Sequence, residues 1–218
     1  AASRYRGEDI GVHLTLTAEF ELYRWGPCTR APSLFGGDGG FASSVVDALD
    51  HADLDEVRRE LRAQLERAIL WGFDVTHLDS HMGIMQMRPE FFDVYLDLAM
   101  DFDLPIRLSG ASTQEAVGFP FRDLAAQEGI LAPDHLVVTR SVGSRRAVER
   151  AVMDLSAGVT EVYLHPATDH SELRSFDPRW ADRVDDHHLL TRDSEFRAAI
   201  ERSDVILMGW REIRDAQR

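Results

Sequence analysis

Two kinds of hydrophobic pattern alternate along the chain: short aliphatic and β-branched runs, and longer segments whose apolar positions recur every three or four residues. The short runs predict six strands, at 10–16, from 75 into the segment 76–81, and at 105–109, 135–139, 161–165 and 205–208. Helical patterns lie between most of them. This alternation is typical of a parallel α/β fold, and we expect a single domain over residues 1–218.

The clearest helical pattern follows Asp53 and is predicted to run to about residue 71. Its apolar residues keep a spacing of three to four and are Leu54, Val57, Leu61, Leu65 and Ala68. Asp53 is a favoured N-cap, and Gly72 is expected to stop the helix. Further helices are predicted from Pro89, as a short helix within the loop segment 119–129, from Ser144 as an N-cap as far as Gly158, and over about 194–202. A loop-like segment occupies 19–43, and loops of this length in compact domains are usually functional.

The densest group of chemically active side chains is the segment T-H-L-D-S-H-M-G at 76–83. In an extended chain His77, Asp79 and His81 would share one face. Positions four apart on a strand are roughly 13 Å apart, so both imidazoles can approach one metal ion only if the chain turns after Asp79. We therefore expect one of the two histidines to bind a metal directly and the other to line the pocket.

Histidines also lie on two other predicted strands or just past their ends, as His13 and His165. In α/β barrels, groups at the carboxyl ends of the strands converge on the active site. A single histidine in such a place is more often structural, but three strands that each carry one favour metal-assisted chemistry. Arg107 lies within a strand of buried type, where an unpaired guanidinium would be costly.

The composition narrows the classes of partner. The 218 residues are 44% hydrophobic and 28% charged, which is ordinary for a soluble globular protein. A net charge of -14 argues against nucleic acid, which requires a basic face. No run approaches the roughly 18 apolar residues of a membrane span, so we expect no membrane partner.

The cysteine content and the first residues of the sequence bear on the cellular compartment of the protein. The one cysteine, Cys28, excludes an internal disulfide and favours a reducing compartment. Without a signal peptide, the sequence predicts a cytoplasmic protein, and homo-oligomerisation is left open. The chain begins with Ala1 rather than an initiator methionine, so we expect an N-terminal segment to be missing from it.

Three sequence segments together form a recognisable set of motifs. They are G-V-H-L-T-L-T at 11–17, T-H-L-D-S-H at 76–81 and E-V-Y-L-H-P at 161–166. In this order they resemble the YdjC-like carbohydrate deacetylases, which include the chitooligosaccharide deacetylases, and the resemblance spans nearly the whole chain. It implies a distorted TIM-like β/α barrel. It also implies metal-dependent hydrolysis of an N-acetyl group on a small carbohydrate, with Mg²⁺ or Zn²⁺ as the divalent cofactor. Imidazole ligands favour zinc of the two.

The resemblance assigns roles to the histidine segment. His13 and His81 match the family's metal-binding histidines. Asp79 is then expected to orient His77 or His81 by a hydrogen bond, as carboxylates orient ligating histidines elsewhere. His77 is expected to line the substrate pocket.

Further roles lie outside that segment. His165 matches the histidine of the family's H-P motif, and an imidazole can protonate the leaving amine near neutral pH. Arg107 is expected to steady the oxyanion or to bind a sugar oxygen. Tyr23 and Trp25 could offer flat faces to a sugar ring, although loop aromatics more often pack on their own domain.

The sequence departs from the family pattern in three places. The family's N-terminal strand ends in an Asp-Asp pair that supplies a metal ligand, and no such segment precedes Gly11. We therefore expect the N-terminal βα unit to be absent, the site to be incomplete and the activity of this chain to be weak. Met82 replaces a further histidine of the family, and Ala167 replaces the glycine of its H-P-G ending.

Two alternatives stay open. Another metal-dependent hydrolase, such as a phosphoesterase, would need more ligands and a cationic phosphate cradle, and the sequence shows neither. A non-catalytic sugar-binding barrel of the same family is favoured by the missing Asp-Asp segment. The upstream sequence would distinguish it from the deacetylase.

Overall fold

The computed structural model describes residues 2–139, 143–201 and 205–218. The chain forms two compact units: a first unit of Ala1–Ala132 with Met208–Arg218, and a second unit of Pro133–Leu207. Both contain helices and a short parallel pair of strands, so the predicted α/β class is confirmed. The assignment of the whole chain to one domain stays a prediction.

In the first unit, strand β1 (Ile10–Leu14) pairs in parallel with β2 (Val75–Ser80). The register shifts between Ile10 and Val12, so that two residues of β2, Thr76 and His77, lie opposite Gly11. Such an irregularity is a β-bulge, and it re-aims the side chains beside it. After the bulge the pairing is regular, with His13 opposite Asp79.

A third extended segment continues this sheet at the predicted strand 105–109. It makes only an isolated parallel bridge between Ile106 and Leu78. The N–H of Leu78 donates to the Pro105 carbonyl at 3.0 Å, and the N–H of Arg107 donates to the Leu78 carbonyl at 2.9 Å. Proline has no N–H of its own to extend the ladder, and the segment stays too short to count as a strand.

The helices of the first unit cover the strands and enclose the main hydrophobic core. They are α1 (Val45–His51), α2 (Leu54–Leu70), α3 (Pro89–Phe102), α4 (Ala111–Val117), α5 (Phe121–Gln127) and, from the end of the chain, a helix at Trp210–Gln217. The predicted cap is confirmed, because the side chain of Asp53 accepts from the N–H of Glu56. Gly72 follows α2 with φ +88°, a conformation that favours glycine. Two short 3₁₀ helices, Ala2–Arg4 and Pro32–Leu34, complete the unit together with a third described below.

The 19–43 segment is irregular apart from Pro32–Leu34, as predicted. Hydrogen bonds of buried or half-buried charged side chains hold its backbone in place. Glu60 of α2 is fully buried, and its carboxylate accepts from the backbone N–H groups of Cys28 and Thr29, both at 2.8 Å. Arg24 donates to Asp38 at 2.7 Å and to the carbonyl of Phe41. The loop therefore has a fixed backbone path.

The second unit contains β3 (His135–Val138) and β4 (Thr160–Tyr163), which pair in parallel. Its helices are α6 (Ser144–Met153), α7 (Ser171–Phe176), α8 (Trp180–Arg192) and α9 (Ser194–Glu201), so the helix at the chain end is α10. A small core joins Val148, Leu189 and Phe196.

Several sequence predictions need correction. Ser144 is the first residue of α6 and not its cap; Gly143 takes the cap position, because the Ser144 hydroxyl donates to Asp186 instead. The predicted strand 205–208 is wrong: Ile206 is 89% exposed, and no ladder covers this segment in the described part of the chain. The predicted end of the last helix at 202 lies outside the described residues.

The helices α1, α4, α7, α8 and α10 were not predicted. The predicted barrel is not demonstrated either, since the described residues contain two separate two-stranded sheets and no closed one. None of the helices in the described residues is both long and apolar enough to cross a bilayer.

Candidate functional site

The carboxyl ends of the first unit's three parallel segments bring His13, Asp79 and Arg107 into one row. The Nδ1 of His13 lies 2.5 Å from Oδ2 of Asp79, the residue opposite it in the register. The Arg107 guanidinium donates to the same carboxylate oxygen. The partner of Asp79 is thus His13, which corrects the expectation that Asp79 orients His77 or His81.

His81 reaches this row because the chain turns directly after β2. The third 3₁₀ helix, His81–Gln86, starts there, and it is broken by two left-handed residues, Met82 at φ 55° and Gly83 at φ 69°. The turn sets Nδ1 of His81 2.9 Å from Nε2 of His13, with ring centroids 5.0 Å apart. The geometric condition derived from the sequence, a turn after Asp79, is met.

Each of the two facing imidazoles has a carboxylate on its other nitrogen. Asp79 accepts from Nδ1 of His13, and Glu19, at the start of the 19–43 loop, lies 2.8 Å from Nε2 of His81. An ionised carboxylate only accepts, so each pairing places the ring proton on the carboxylate side. In the neutral imidazoles, the nitrogens that face each other then both present lone pairs.

Two lone pairs 2.9 Å apart repel unless a cation lies between them, so the donor set fits a metal ion. Nitrogens that are each about 2.0–2.1 Å from one ion can be separated by such a distance. A carboxylate behind each imidazole is also the usual support of metal-binding histidines. Within the described residues, no group of three or more His, Cys, Asp or Glu side chains is placed to hold an ion. The site supplies two protein nitrogens.

The carboxylate of Asp79 stays charged although it is buried. Burial raises the pKa of Asp79, but the hydrogen bond from His13 and the charges of His13 and Arg107 outweigh that effect and hold the pKa below its ordinary value. The Asp79 side chain is 11% exposed and that of His13 is 53% exposed. The carboxylate is therefore a fixed anchor beneath a solvent-accessible imidazole.

His77 belongs to a different cluster, beside the bulge. Its ring stacks on Trp210 with centroids 4.2 Å apart and lies against Gly11, where an added Cβ would come within 2.4 Å of it. The Thr76 hydroxyl donates to Asp9 and lies 3.0 Å from Nδ1 of His77. The structure does not pair His77 with His13 or His81, and its role in substrate binding stays a prediction.

The protonation state of His77 follows from its surroundings. Burial and, next, the positive charge of Arg107 lower the pKa of His77 to about 4, although the carboxylates of Asp79 and Asp9 oppose the shift. The ring is therefore neutral at physiological pH. In this neutral form the ring stacks on Trp210.

Aromatic residues of the 19–43 loop border His81. The Trp25 ring centroid lies 6.1 Å from that of His81, and Tyr23 lies 6.2 Å from Trp25. Trp25 is half-buried, and its Nε1 donates to the Thr17 carbonyl at 2.9 Å, whereas Tyr23 is 50% exposed. Trp25 thus lies beside His81 and Tyr23 lies beside Trp25, and the contact of either residue with substrate stays a prediction.

His165 lies in the second unit, two residues past the end of β4. It lines a cavity of about 690 Å³ together with Ser144, Arg183 and Asp186. Its backbone N–H donates to Oδ2 of Asp186 at 2.9 Å, and its ring lies edge-on to Tyr163 at 5.4 Å. Its role as an acid stays a prediction.

Comparison with known proteins identifies the family of this chain. The family model described as YdjC-like protein matches residues 1–202. The chain belongs to the YdjC-like family. The resemblance drawn from the three sequence motifs is thereby confirmed.

Relatives and one solved structure are similar to this YdjC-like chain over most of its length. A carbohydrate deacetylase of Thermus thermophilus is 32% identical over 99% of this chain and 81% of its own. A carbohydrate deacetylase of Thermoanaerobacter pseudethanolicus is 25% identical over 92% and 76%. The structure of an Enterococcus faecalis V583 protein described as a cellobiose-phosphate cleavage protein has a TM-score of 0.77 at 24% identity. It covers 94% of this chain and 77% of its own.

Three carboxylates of this YdjC-like chain were not identified from the sequence: Glu19 beside His81, Asp9 beside Thr76, and Asp186 beside His165. Each makes its contact across at least 21 residues of sequence. The one available signal was for Glu19, which begins the long loop that follows the first strand motif.

Proposed function

We propose that this YdjC-like chain is a metal-dependent carbohydrate N-deacetylase. The observation that carries the proposal is the pair of facing imidazole nitrogens, on His13 and His81, each backed by a carboxylate. Relatives named carbohydrate deacetylases support the reaction class. We further propose that its parallel segments belong to a distorted β/α barrel, as the resemblance of its three motifs to the family implies.

The first unit's residues would hold and tune the ion. Nε2 of His13 and Nδ1 of His81 are the proposed ligands, and zinc suits two imidazoles better than magnesium does. A bound ion of this kind acidifies water and polarises the acetyl carbonyl. Asp79 and Glu19 keep the two rings in the tautomers that direct a lone pair to the common point. Arg107, which is fixed by Asp79, would supply positive charge for the oxyanion.

The remaining roles concern the sugar and the leaving group. The exposed ring of Tyr23 and the neighbouring Trp25 would pack on a sugar face, since the C–H groups of a sugar make favourable apolar contacts with an aromatic ring. His77 is largely buried, and its low pKa means that the ring carries no extra proton to donate near neutral pH. We therefore assign His77 to the wall of the pocket. His165 would protonate the leaving amine, and this role rests on its match to the family's H-P motif.

The metal assignment is tested by exchanging each histidine. His13→Ala and His81→Ala should each remove most of the bound zinc from the purified protein and abolish acetate release from N-acetylated chitooligosaccharides. The matched control is His51→Ala, which removes an exposed histidine that bonds only within its own helix. The measurement is metal content by mass spectrometry beside acetate release.

The outcomes separate the alternatives. Full metal content in both His13→Ala and His81→Ala would exclude these residues as ligands. Sugar binding without acetate release, in zinc-loaded wild-type protein, would identify a non-catalytic sugar-binding protein. Release of phosphate from sugar phosphates without release of acetate would identify a phosphoesterase.

A further inference from the structure

Asp186 is a buried carboxylate whose two oxygens are both occupied by other parts of the second unit. The residue lies on α8 and is 7% exposed. Its Oδ2 accepts from the backbone N–H of His165 at 2.9 Å, and its Oδ1 accepts from the Ser144 hydroxyl. One side chain therefore connects three elements: α8, the first residue of α6, and the segment that follows β4.

A second bond joins α8 to that segment. The backbone N–H of Ala167 donates to the carbonyl of Arg183 at 3.0 Å, one helical turn before Asp186. Pro166 lies between the two bonded residues, and its ring fixes φ near −65°. The backbone of 165–167 is thus fastened to α8 on both sides of a rigid residue. The Cα–Cβ direction of His165 is set by these bonds.

The chemistry of this position calls for a side chain that accepts a hydrogen bond from the His165 N–H and also bonds the Ser144 hydroxyl. A carboxylate can accept from two donors at once without presenting a hydrogen of its own, and here both donors point at it. A buried charge is retained only where such bonds satisfy it, because its removal from water is costly. A purely structural connection could be made by apolar packing, as it is elsewhere in the core of this unit.

We propose that Asp186 is a positioning residue for His165, and that it acts by holding the His165 backbone so that the imidazole stays at the wall of the cavity. The inference rests on the proposed function, in which His165 protonates the leaving amine. It adds a residue, remote from the reacting atoms, through which the acid is aimed. Loss of the bond should affect the proton transfer step and leave metal binding unchanged.

The test compares Asp186→Ala and Asp186→Asn with His165→Asn in the zinc-loaded full chain. Asparagine can accept from the His165 N–H and donate to the Ser144 oxygen, so Asp186→Asn should retain most of kcat. Asp186→Ala should lower kcat on an N-acetyl sugar by about 10–100-fold, the effect of a small misplacement of a catalytic group. Glu195→Ala, an exposed carboxylate on α9, is the matched control.

Three further readouts separate positioning from a general loss of structure. On a substrate whose leaving group needs no protonation, the kcat loss in Asp186→Ala should shrink as it does in His165→Asn. The double variant Asp186→Ala/His165→Asn should match His165→Asn within about twofold, because residues that act as a unit are not additive. Hydrogen exchange of the His165 amide should accelerate in Asp186→Ala and stay slow in Asp186→Asn.

Each outcome decides one of the two proposals. If His165→Asn keeps full kcat, the acid role of His165 fails, and with it the proposed function of that residue. If His165→Asn loses kcat but the losses of the double variant multiply, Asp186 acts independently and the positioning role is overturned. Equal kcat losses on both substrates in Asp186→Ala, with falling thermal stability, would show that Asp186 is a fold residue only.

Discussion

The histidines of the first unit's site occupy two different environments, and the environment decides their chemistry. His13 and His81 each have a carboxylate on one nitrogen, which leaves the other nitrogen for a ligand or proton. His77 has an aromatic ring on its face and is largely enclosed, so its neutral form is favoured. The sequence spacing predicts different roles for His77 and His81, and the turn after β2 separates the two rings.

The lowered pKa of His77 makes the folded protein sensitive to acid. The unfolded chain binds a proton at His77 near pH 6.5, whereas the folded chain does so only near pH 4. Between these values the unfolded state holds more protons, so stability falls as the pH falls through that window and is fully present above it. From pH 7 to pH 5 this histidine alone should cost about 2 kcal/mol of unfolding free energy.

The variant His77→Phe keeps an aromatic ring beside Trp210 and removes the titration. Its unfolding free energy, from urea denaturation at pH 7 and pH 5, should fall by about 2 kcal/mol less than that of the wild type over this interval. An equal fall in both proteins would mean that His77 is protonated as easily in the folded state as in the unfolded one.

Two helices with a charged residue on the buried face, α8 and α10, were not predicted from the sequence. The buried residues of α8 are Val184, Asp186 and Leu189, and those of α10 are Ile213 and Arg214. A charged residue on the buried face interrupts the apolar spacing on which helix prediction depends. By contrast α2 and α3 keep an apolar residue at nearly every third or fourth position, in α2 even beside its buried Glu60, and both were predicted. The missed helix α4 has no buried residue at all, so no pattern could reveal it.

The bulge between β1 and β2 depends on the absence of a side chain at Gly11. The substitution Gly11→Ala would place a methyl group within 2.4 Å of the His77 ring, which is already confined by Trp210. Overpacking of this kind costs about 1–3 kcal/mol of stability. Urea denaturation followed by tryptophan fluorescence should show the loss.

Two companion variants test this cause. Gly37→Ala adds a methyl group where nothing lies within 4 Å and should leave stability nearly unchanged. In a His77→Ala background, Gly11→Ala should cost far less, because the ring that it meets is gone. A cost that persists there would assign it to the backbone of the bulge.

The two ends of the chain meet in the first unit, where α10 packs on β2. Arg214 is 7% exposed and donates to Asp74 at 2.6 Å and to the Val75 carbonyl at 3.2 Å. The backbone N–H of Arg211 donates to Asp9 at 2.9 Å. Contacts across some 140 to 200 residues form late and slowly, so this unit is completed only when the end of the chain returns to it.

Removal of the Arg214 charge should therefore destabilise the first unit. Arg214→Met leaves the Val75 carbonyl without this donor and should cost about 1–3 kcal/mol. Arg218→Met, which removes an exposed arginine 3.6 Å from Asp103, should cost less than about 1 kcal/mol. Equal midpoints of thermal unfolding in the two variants would show that the Arg214 contacts contribute no more than a surface ion pair.

Sequence reasoning predicted the parts of the fold and site that depend on local pattern. The capped helix after Asp53, the strand before His77 and the need for a turn before His81 all follow from neighbouring residues. The contacts of Glu19, Asp186 and Arg214 join residues 21 to 140 positions apart, and no local spacing encodes them. The strand predicted from the hydrophobic run at 205–208 is wrong because a strand also needs a neighbouring strand to pair with. The topology of the fold, and not the local sequence, decides whether such a strand is present.

The buried Glu60 has a thermodynamic consequence for any ligand of the loop aromatics. Because that carboxylate already holds the backbone of Cys28 and Thr29, Trp25 stands on a segment whose conformational freedom was lost during folding. Ordering a free loop on binding would consume about 1–2 kcal/mol for each residue fixed. Here that entropy is spent before the ligand arrives, so association should proceed as a nearly rigid encounter, with a small entropic penalty.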